Sequence, residues 1–255
     1  MRRLLGSTRR ALMAALVHWV FLAAVALAVV LLAAFVELSE ALIHARSAPE
    51  DSLDILVLRF LAGLRRPWLN AIAVELTALG SPLVVALFTI VAPGLLRAFG
   101  DRRGAGLLVV ASLASALLTN TLKGLLERPR PDVVSKLVHV ASLSYPSGHS
   151  LASSAVYLTA ALVVARHLPS TAHRIVALLS AAVLVLFIGA SRVYLGVHYP
   201  SDVVAGIMVG TAWASLMAAA LRMLDRRHAP KRAREETADP ARCRCGRARA
   251  RMLPR

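Results

Sequence analysis

Long apolar blocks alternate along the chain with short polar breaks rich in arginine. Residues 11–36, ALMAALVHWVFLAAVALAVVLLAAFV, contain no Asp, Glu, Lys or Arg. Comparable blocks recur at about 71–95, 105–122, 149–166, 174–191 and 202–222. Each approaches the roughly 20 residues a helix needs to cross a hydrocarbon core about 30 Å thick. The pattern predicts an all-α protein, a bundle of six transmembrane helices. The first block runs directly into ELSEAL and is about twice the 7–15-residue apolar core of a signal peptide, so it is expected to be a retained span.

Between the first two blocks, residues 37–70 are more polar and carry Glu37, Glu40, Glu50, Asp51 and Asp54. Within them LDILVLRFLAGLRRPW spaces its apolar residues as a helix does, with Arg59, Arg65 and Arg66 on other faces. That spacing predicts a helix lying at the membrane surface. Glu75, near the start of the second block, is expected at the interface. The domain reading is a basic N-terminus at 1–10, a six-span membrane domain at 11–224 and a basic, unstructured cytoplasmic tail at 225–255. Cys243 and Cys245 lie in that tail as a C-x-C pair without a partner cluster, which argues for reduced thiols rather than a metal site.

Composition sharpens this picture. The 255 residues are 58% hydrophobic, and 30 Lys and Arg against 14 Asp and Glu give a formal charge of +16. The cations gather at the chain ends and in alternate loops, the signature of a cytoplasmic face under the positive-inside rule. No aromatic-interleaved basic groove or recognition motif accompanies them, so nucleic acid is not an expected partner. Arg2, Arg3, Arg9, Arg10, Arg97, Arg102, Arg103, Arg166, Arg174 and the tail define the expected inner side. The loops 37–70, 123–147 and 192–201 then face outward. All three carry cations, and in 123–147 and 192–201 strong cations stand at the mouths of spans against the rule. An ionisable residue costs about 2.5–3.5 kcal/mol at mid-bilayer on insertion scales, and such exceptions mark function.

The exceptions fall in three segments. KGLLERPRP, residues 123–131, supplies Lys123 at the last turn of a helix, where a cation suits the dipole. Pro129 and Pro131 hold Arg130 in a stiff, extended stretch. SYPSGHS, residues 144–150, offers Ser147 as an N-cap and the free amides of Gly148 and His149 as an anion site at a helix start. SRVYLGVHYPSD, residues 191–202, places Arg192 at the end of one span, with His198 and Asp202 four residues apart. Asp202 can orient the His198 imidazole and leave its other nitrogen free to attack. Singly, these read as a solvated basic loop, a capped helix start and a capping aspartate. Together, on one side, they provide three cations, two histidines, a carboxylate and a helix N-terminus. That set suits a phosphoryl group, whose transfer depends on positioning and charge stabilisation.

The three segments resemble the signature of the type 2 phosphatidic acid phosphatase (PAP2) superfamily, which also includes bacterial acid phosphatases and vanadium haloperoxidases. That signature, K-x6-R-P, then P-S-G-H, then S-R-x5-H-x3-D, is filled by Lys123 and Arg130-Pro131, by Pro146-Ser147-Gly148-His149, and by Ser191-Arg192, His198 and Asp202. The resemblance covers about residues 71–222 and implies a six-helix membrane bundle of the phosphatase and haloperoxidase type. It implies that His198 attacks phosphorus to give a phosphohistidine, that Asp202 orients it, and that His149 protonates the leaving group and then activates water. Lys123, Arg130, Arg192, Ser147 and the Gly148 amide would hold the phosphoryl oxygens. Arg128 is not a signature position and stays outside the expected site. No metal or other cofactor is implied.

The expected substrate is a lipid phosphate whose headgroup reaches the outer interface of what would be a bacterial inner membrane, with both termini cytoplasmic. The TALGS stretch at 77–81 looks like bacterial members acting on undecaprenyl diphosphate or phosphatidylglycerol phosphate. A phosphatidate is a third possibility of the same class. The competing readings are a haloperoxidase, against which the apolar spans argue, and a non-enzymatic lipid-phosphate binder or transporter, which has no need to keep both histidines.

Overall fold

The computed structural model describes residues 2–44 and 52–238. The described residues form eight α-helices: α1 (Arg2–His44), α2 (Leu53–Gly63), α3 (Pro67–Ala78), α4 (Pro82–Ala98), α5 (Arg102–Leu126), α6 (Gly148–Ala165), α7 (Thr171–Tyr194) and α8 (Pro200–Ala238). Among them α1, α5, α6, α7 and α8 contain five apolar stretches long enough to cross a bilayer, and α3 with α4 makes a sixth if that bent pair counts as one span. The chain is a multi-pass membrane protein of all-α architecture.

Two expectations need correcting. The second apolar block is not one straight helix: α3 and α4 meet at 46°. The break follows from local chemistry. Ser81 caps α4 by accepting the Val84 amide at 3.3 Å, and Pro82 supplies the first turn. Gly80 lies in the break because nothing larger fits: a Cβ there would come within 2.6 Å of Ile188 and 3.3 Å of His149. The second correction concerns the tail. Helix α8 continues to Ala238, past the boundary set at 225; Arg, Ala and Glu in that stretch favour helix, against Pro230, which has no amide to donate. Residues 239–255, with Cys243 and Cys245, lie outside the described residues. The surface-helix reading of LDILVLRFLAGLRRPW corresponds to α2, which buries Ile55 and Leu58 and leaves Leu53, Leu56 and Phe60 exposed.

Helices α6 and α8 form the centre. Helix α1 packs on α8, α7 and α5 pack on α6, α4 packs on α5, and α3 lies against α7. In lipid no hydrophobic force draws helices together, so close contact through small residues takes its place. Here Gly206 and Gly210 of α8 meet the serine-rich face of α6. A Cβ at Gly206 would lie 2.6 Å from the Ser147 carbonyl oxygen, and one at Gly210 would lie 2.6 Å from Ser154 Cβ. The buried hydroxyls of that face need no outside partner: Ser153 and Ser154 donate to the Ser150 carbonyl, and Thr159 to that of Ala155. The outward faces are apolar, with Leu83, Leu87 and Ile90 on α4, Leu113 and Leu117 on α5, and Leu179 and Leu186 on α7 all exposed. Such a surface suits lipid, not water.

Candidate active site

Chain direction gathers the three signature segments at one end of the bundle. Helix α5 ends there, α6 and α8 begin there, and α7 ends there. At the end of α5, Glu127 takes a left-handed conformation (φ 41°), closing the helix and turning 128–131 across the bundle mouth. At the end of α7, Gly196 (φ 74°) turns the chain so that His198 points back inward. The Ser147 amide donates to the Asp202 carbonyl at 2.9 Å, which joins the start of α6 to the first turn of α8.

His198 and Asp202 are both buried. His198 Nδ1 lies 3.3 Å from Asp202 Oδ2, and Nε2 lies 3.2 Å from Arg130 Nη1. A guanidinium only donates, so Nε2 is the acceptor and the proton belongs on Nδ1, facing the carboxylate. Burial pushes the His198 imidazole down to about 4, against the pull of Asp202 and with the help of Arg130 and Arg192. The ring is therefore neutral near pH 7, with an unprotonated Nε2. Asp202 takes further hydrogen bonds from Ser144 Oγ at 2.5 Å, from the Tyr199 amide at 2.9 Å and from Arg128 Nη1 at 2.6 Å.

The expected cations surround this pair. Arg130 donates to the Val197 carbonyl at 2.5 Å and to the Ser142 carbonyl at 2.6 Å. Lys123 Nζ donates to the Leu143 carbonyl at 2.6 Å, so both cations are anchored on the 142–143 segment. Burial pushes the Arg130 guanidinium below its ordinary value, partly offset by Asp202. Arg192 is buried and donates one Nη1 bond, at 3.0 Å, to Thr77 Oγ1; its Nε has no partner. A buried guanidinium with an unused donor is costly unless an anion completes it. His149 is half-buried and within electrostatic reach of Arg192, His198, Lys123 and Arg130. Gly148 is needed for space, since a Cβ there would come within 2.9 Å of Thr119.

All eight expected site residues thus lie at one end of the bundle. One detail differs. Ser147 occupies the N-cap position of α6, but its hydroxyl caps no amide and instead accepts from Ser150 Oγ at 3.1 Å. The first-turn amides of α6 are left without a side-chain cap. Sequence reasoning missed Arg128, which pairs with Asp202 as well as with Asp54 at 2.9 Å. It also missed Asp54, Ser144, Ser201 and Thr77 as supports. Ser144 and Thr77 stand inside the quoted SYPSGHS and TALGS, but only their three-dimensional partners reveal their use. Among the described residues no group of three or more His, Cys, Asp or Glu is placed to hold a metal.

A membrane bundle with a carboxylate-oriented histidine, a second histidine and three cations at one end has the architecture of an integral-membrane phosphatase. The PAP2 superfamily matches residues 104–228, and the chain belongs to that superfamily. Phosphatidylglycerophosphatase B of Bacillus subtilis is 38% identical over 150 residues, 58% of this chain and 72% of that protein. Decaprenylphosphoryl-5-phosphoribose phosphatase of Mycobacterium tuberculosis is 30% identical over 180 residues, 68% of this chain and 92% of that one. A crystal structure of a transmembrane PAP2 type phosphatidylglycerolphosphate phosphatase from Bacillus subtilis superposes with a TM-score of 0.69 at 31% identity, covering 78% of this chain and 96% of that one. The protein is a lipid phosphatase.

Proposed function

We propose that the chain removes phosphate from a lipid phosphate at the outer membrane–water interface through a phosphohistidine on His198, without a metal. The observation that carries this reading is the pairing at His198: Nδ1 faces Asp202 at 3.3 Å while Nε2 faces Arg130 at 3.2 Å. In the first step the Nε2 lone pair attacks phosphorus and the bond from phosphorus to the lipid oxygen breaks. His149 gives its proton to that oxygen. In the second step water attacks phosphorus, passes a proton to His149, and the P–N bond breaks to release inorganic phosphate and free imidazole. Lys123, Arg130, Arg192, Ser147 and the Gly148 amide hold the non-bridging oxygens throughout. The unused Nε of Arg192 and the uncapped start of α6 support that assignment.

The substrate belongs to the class of undecaprenyl diphosphate, phosphatidylglycerol phosphate or phosphatidate. The two named relatives handle a glycerophospholipid phosphate and a polyprenyl-linked sugar phosphate, so a shared headgroup chemistry, not a shared tail, supports the reading. The membrane is a bacterial inner membrane, with both termini cytoplasmic and the site outward. Its support is charge: Arg97, Arg102, Arg103, Arg166 and Arg174 all lie at or near the helix ends opposite the site.

The test is phosphate release by purified protein from vesicles of each lipid phosphate in the presence of EDTA. Release from at least one is expected, together with an acid-labile phosphoenzyme. With a good leaving group, His149→Ala should let that phosphoenzyme accumulate. Strict metal dependence, or turnover with no trappable phosphoenzyme in either protein, would sink the histidine mechanism.

A further inference from the structure

Asp202 is not served by the signature residues alone. Arg128 Nη1 reaches Asp202 Oδ1 at 2.6 Å, while Nη2 of the same guanidinium reaches Asp54 Oδ2 at 2.9 Å. Asp54 sits in the first turn of α2, outside the three segments. It also accepts the Ser201 amide at 2.9 Å and the Ser201 hydroxyl at 2.5 Å, so it grips the residue beside Asp202. Arg128 lies over the Tyr199 ring at 4.1 Å from its centroid, which fixes the plane of the guanidinium between the two carboxylates. All three charged groups are largely shielded from water, with side-chain exposures of 15% for Arg128, 12% for Asp54 and 0% for Asp202. At such a site charges interact more strongly than they do on a surface.

We propose that Asp54 and Arg128 form a positioning bridge that sets how much of the Asp202 carboxylate remains for His198. The proposal rests on the reading of His198 as nucleophile. Its physics is competition. A cation bound to Asp202 draws charge density that would otherwise polarise the imidazole, and a second carboxylate on that cation relieves the draw. Asp54 therefore supports the nucleophile through Arg128, from a helix that carries none of the reacting groups. The other charged groups facing His198 are Arg130 of the loop and Arg192 of α7, with His149 of α6 close by. Lys123 of α5 and Asp132 stand beyond, the latter toward Tyr199. None of these touches Asp54.

The bridge is tested by the pH dependence of kcat/KM on one lipid phosphate, for Asp54→Asn, Arg128→Gln and the double variant, each near-isosteric or shorter and free of new charge. Asp54→Asn should lower kcat about 10- to 100-fold with a smaller effect on KM, the range expected for a lost charged hydrogen bond, while Arg128→Gln, which loses the anchor of Asp202 but also its draw, should lower it less. The acid limb should move in opposite directions. Arg128→Gln removes the cation that offsets Asp202, the carboxylate that favours protonated His198, so the limb rises by about half a unit to one unit. Asp54→Asn leaves that cation unshared, so the limb falls. In the double variant the Asp54 change should add little, because the arginine that transmits it is gone. Arg128→Lys, which keeps the charge but cannot fork between two carboxylates, should recover the limb position better than the rate. Unmoved limbs in folded single variants would overturn the bridge, as would limbs that move the same way or strictly additive losses. Those results leave the nucleophile reading intact. Full activity of His198→Ala would instead remove the reading on which the bridge rests.

Discussion

Two ends of the same bundle hold the same three residue types in different circumstances. At one end Asp202 meets His198 and Arg128; at the other Asp101 meets His167 and Arg166. Each aspartate stands at the start of a long helix, and each is buried. The differences lie around them. The Asp101 carboxylate is spent on structure: it caps α5 by accepting the Gly104 amide at 2.8 Å, and it takes His167 Nε2 at 2.9 Å. The His167 side chain is 55% exposed, against 1% for His198. The nearby cations Arg103 and Arg166 are matched by a second carboxylate, Asp225. At the other end Lys123, Arg130 and Arg192 outnumber the carboxylates, and part of Arg192 is left unpaired. A carboxylate, a histidine and an arginine make a structural clasp when their charges balance. Burial and an excess of positive charge make an anion site of them.

The strongest way to break this comparison is to remove each histidine. His198→Ala should lower kcat by at least about 10³-fold, as loss of a nucleophile does, and abolish the phosphoenzyme. His167→Ala should leave phosphate release within about 2-fold, since exposed groups far from the chemistry rarely contribute more. Next comes Asp202→Asn. Loss of the carboxylate that orients an imidazole costs about 10²- to 10⁴-fold in rate, and the loss should fall on kcat. Asp101→Ala should leave kcat nearly unchanged but lower stability by about 1–2 kcal/mol, the scale of a lost helix cap, read as melting temperature in detergent.

The smallest effect is the pH dependence of that stability. Burial pushes the Asp101 carboxyl up, but hydrogen bonds from His167, the Gly104 amide and Arg166 outweigh it and hold it below the ordinary value of 3.8. A lowered folded value means the contribution is complete above the unfolded value and is lost as pH falls through the folded one. The melting-temperature gap between wild type and Asp101→Ala should therefore be full at neutral pH and shrink in strong acid. A gap that widened there would show the clasp working with the opposite sign.

The sequence revealed the spans and the signature residues because both rest on local evidence. Apolar blocks report themselves by length, and Lys123, Arg130, His149, Arg192, His198 and Asp202 report themselves by spacing. The supports were hidden for a physical reason. Asp54 and Arg128 are 74 residues apart and meet only because α2 folds back across the starts of α8 and the 128–131 loop. Nothing local distinguishes Arg128 from a solvated arginine, and Asp54 looks like any acidic residue in a polar connection. The bend between α3 and α4 was hidden differently. TALGSP contains its glycine and proline in plain view, but a hydropathy pattern averages across them, and the need for Gly80 arises from Ile188 and His149 on other helices. Ser147 shows the limit of motif reasoning: its position is that of a cap, while its hydroxyl is turned to Ser150.

The seam between α6 and α8 has a consequence for how such a protein diversifies. His149 rides on the first turn of α6, and His198 lies two residues before α8 and is fastened to its first turn. The two helices meet through Gly206 and Gly210 against the backbone and serine Cβ atoms of α6, so no side-chain rotation in that contact can yield. The reach between the two histidines is consequently a property of two hydrogen atoms where other residues carry a methyl. The lipid-facing perimeter can be rewritten for another tail or another bilayer, residue by residue, without disturbing that reach. A single added carbon in the seam would pry apart the starts of both helices, and no change at the perimeter restores the spacing.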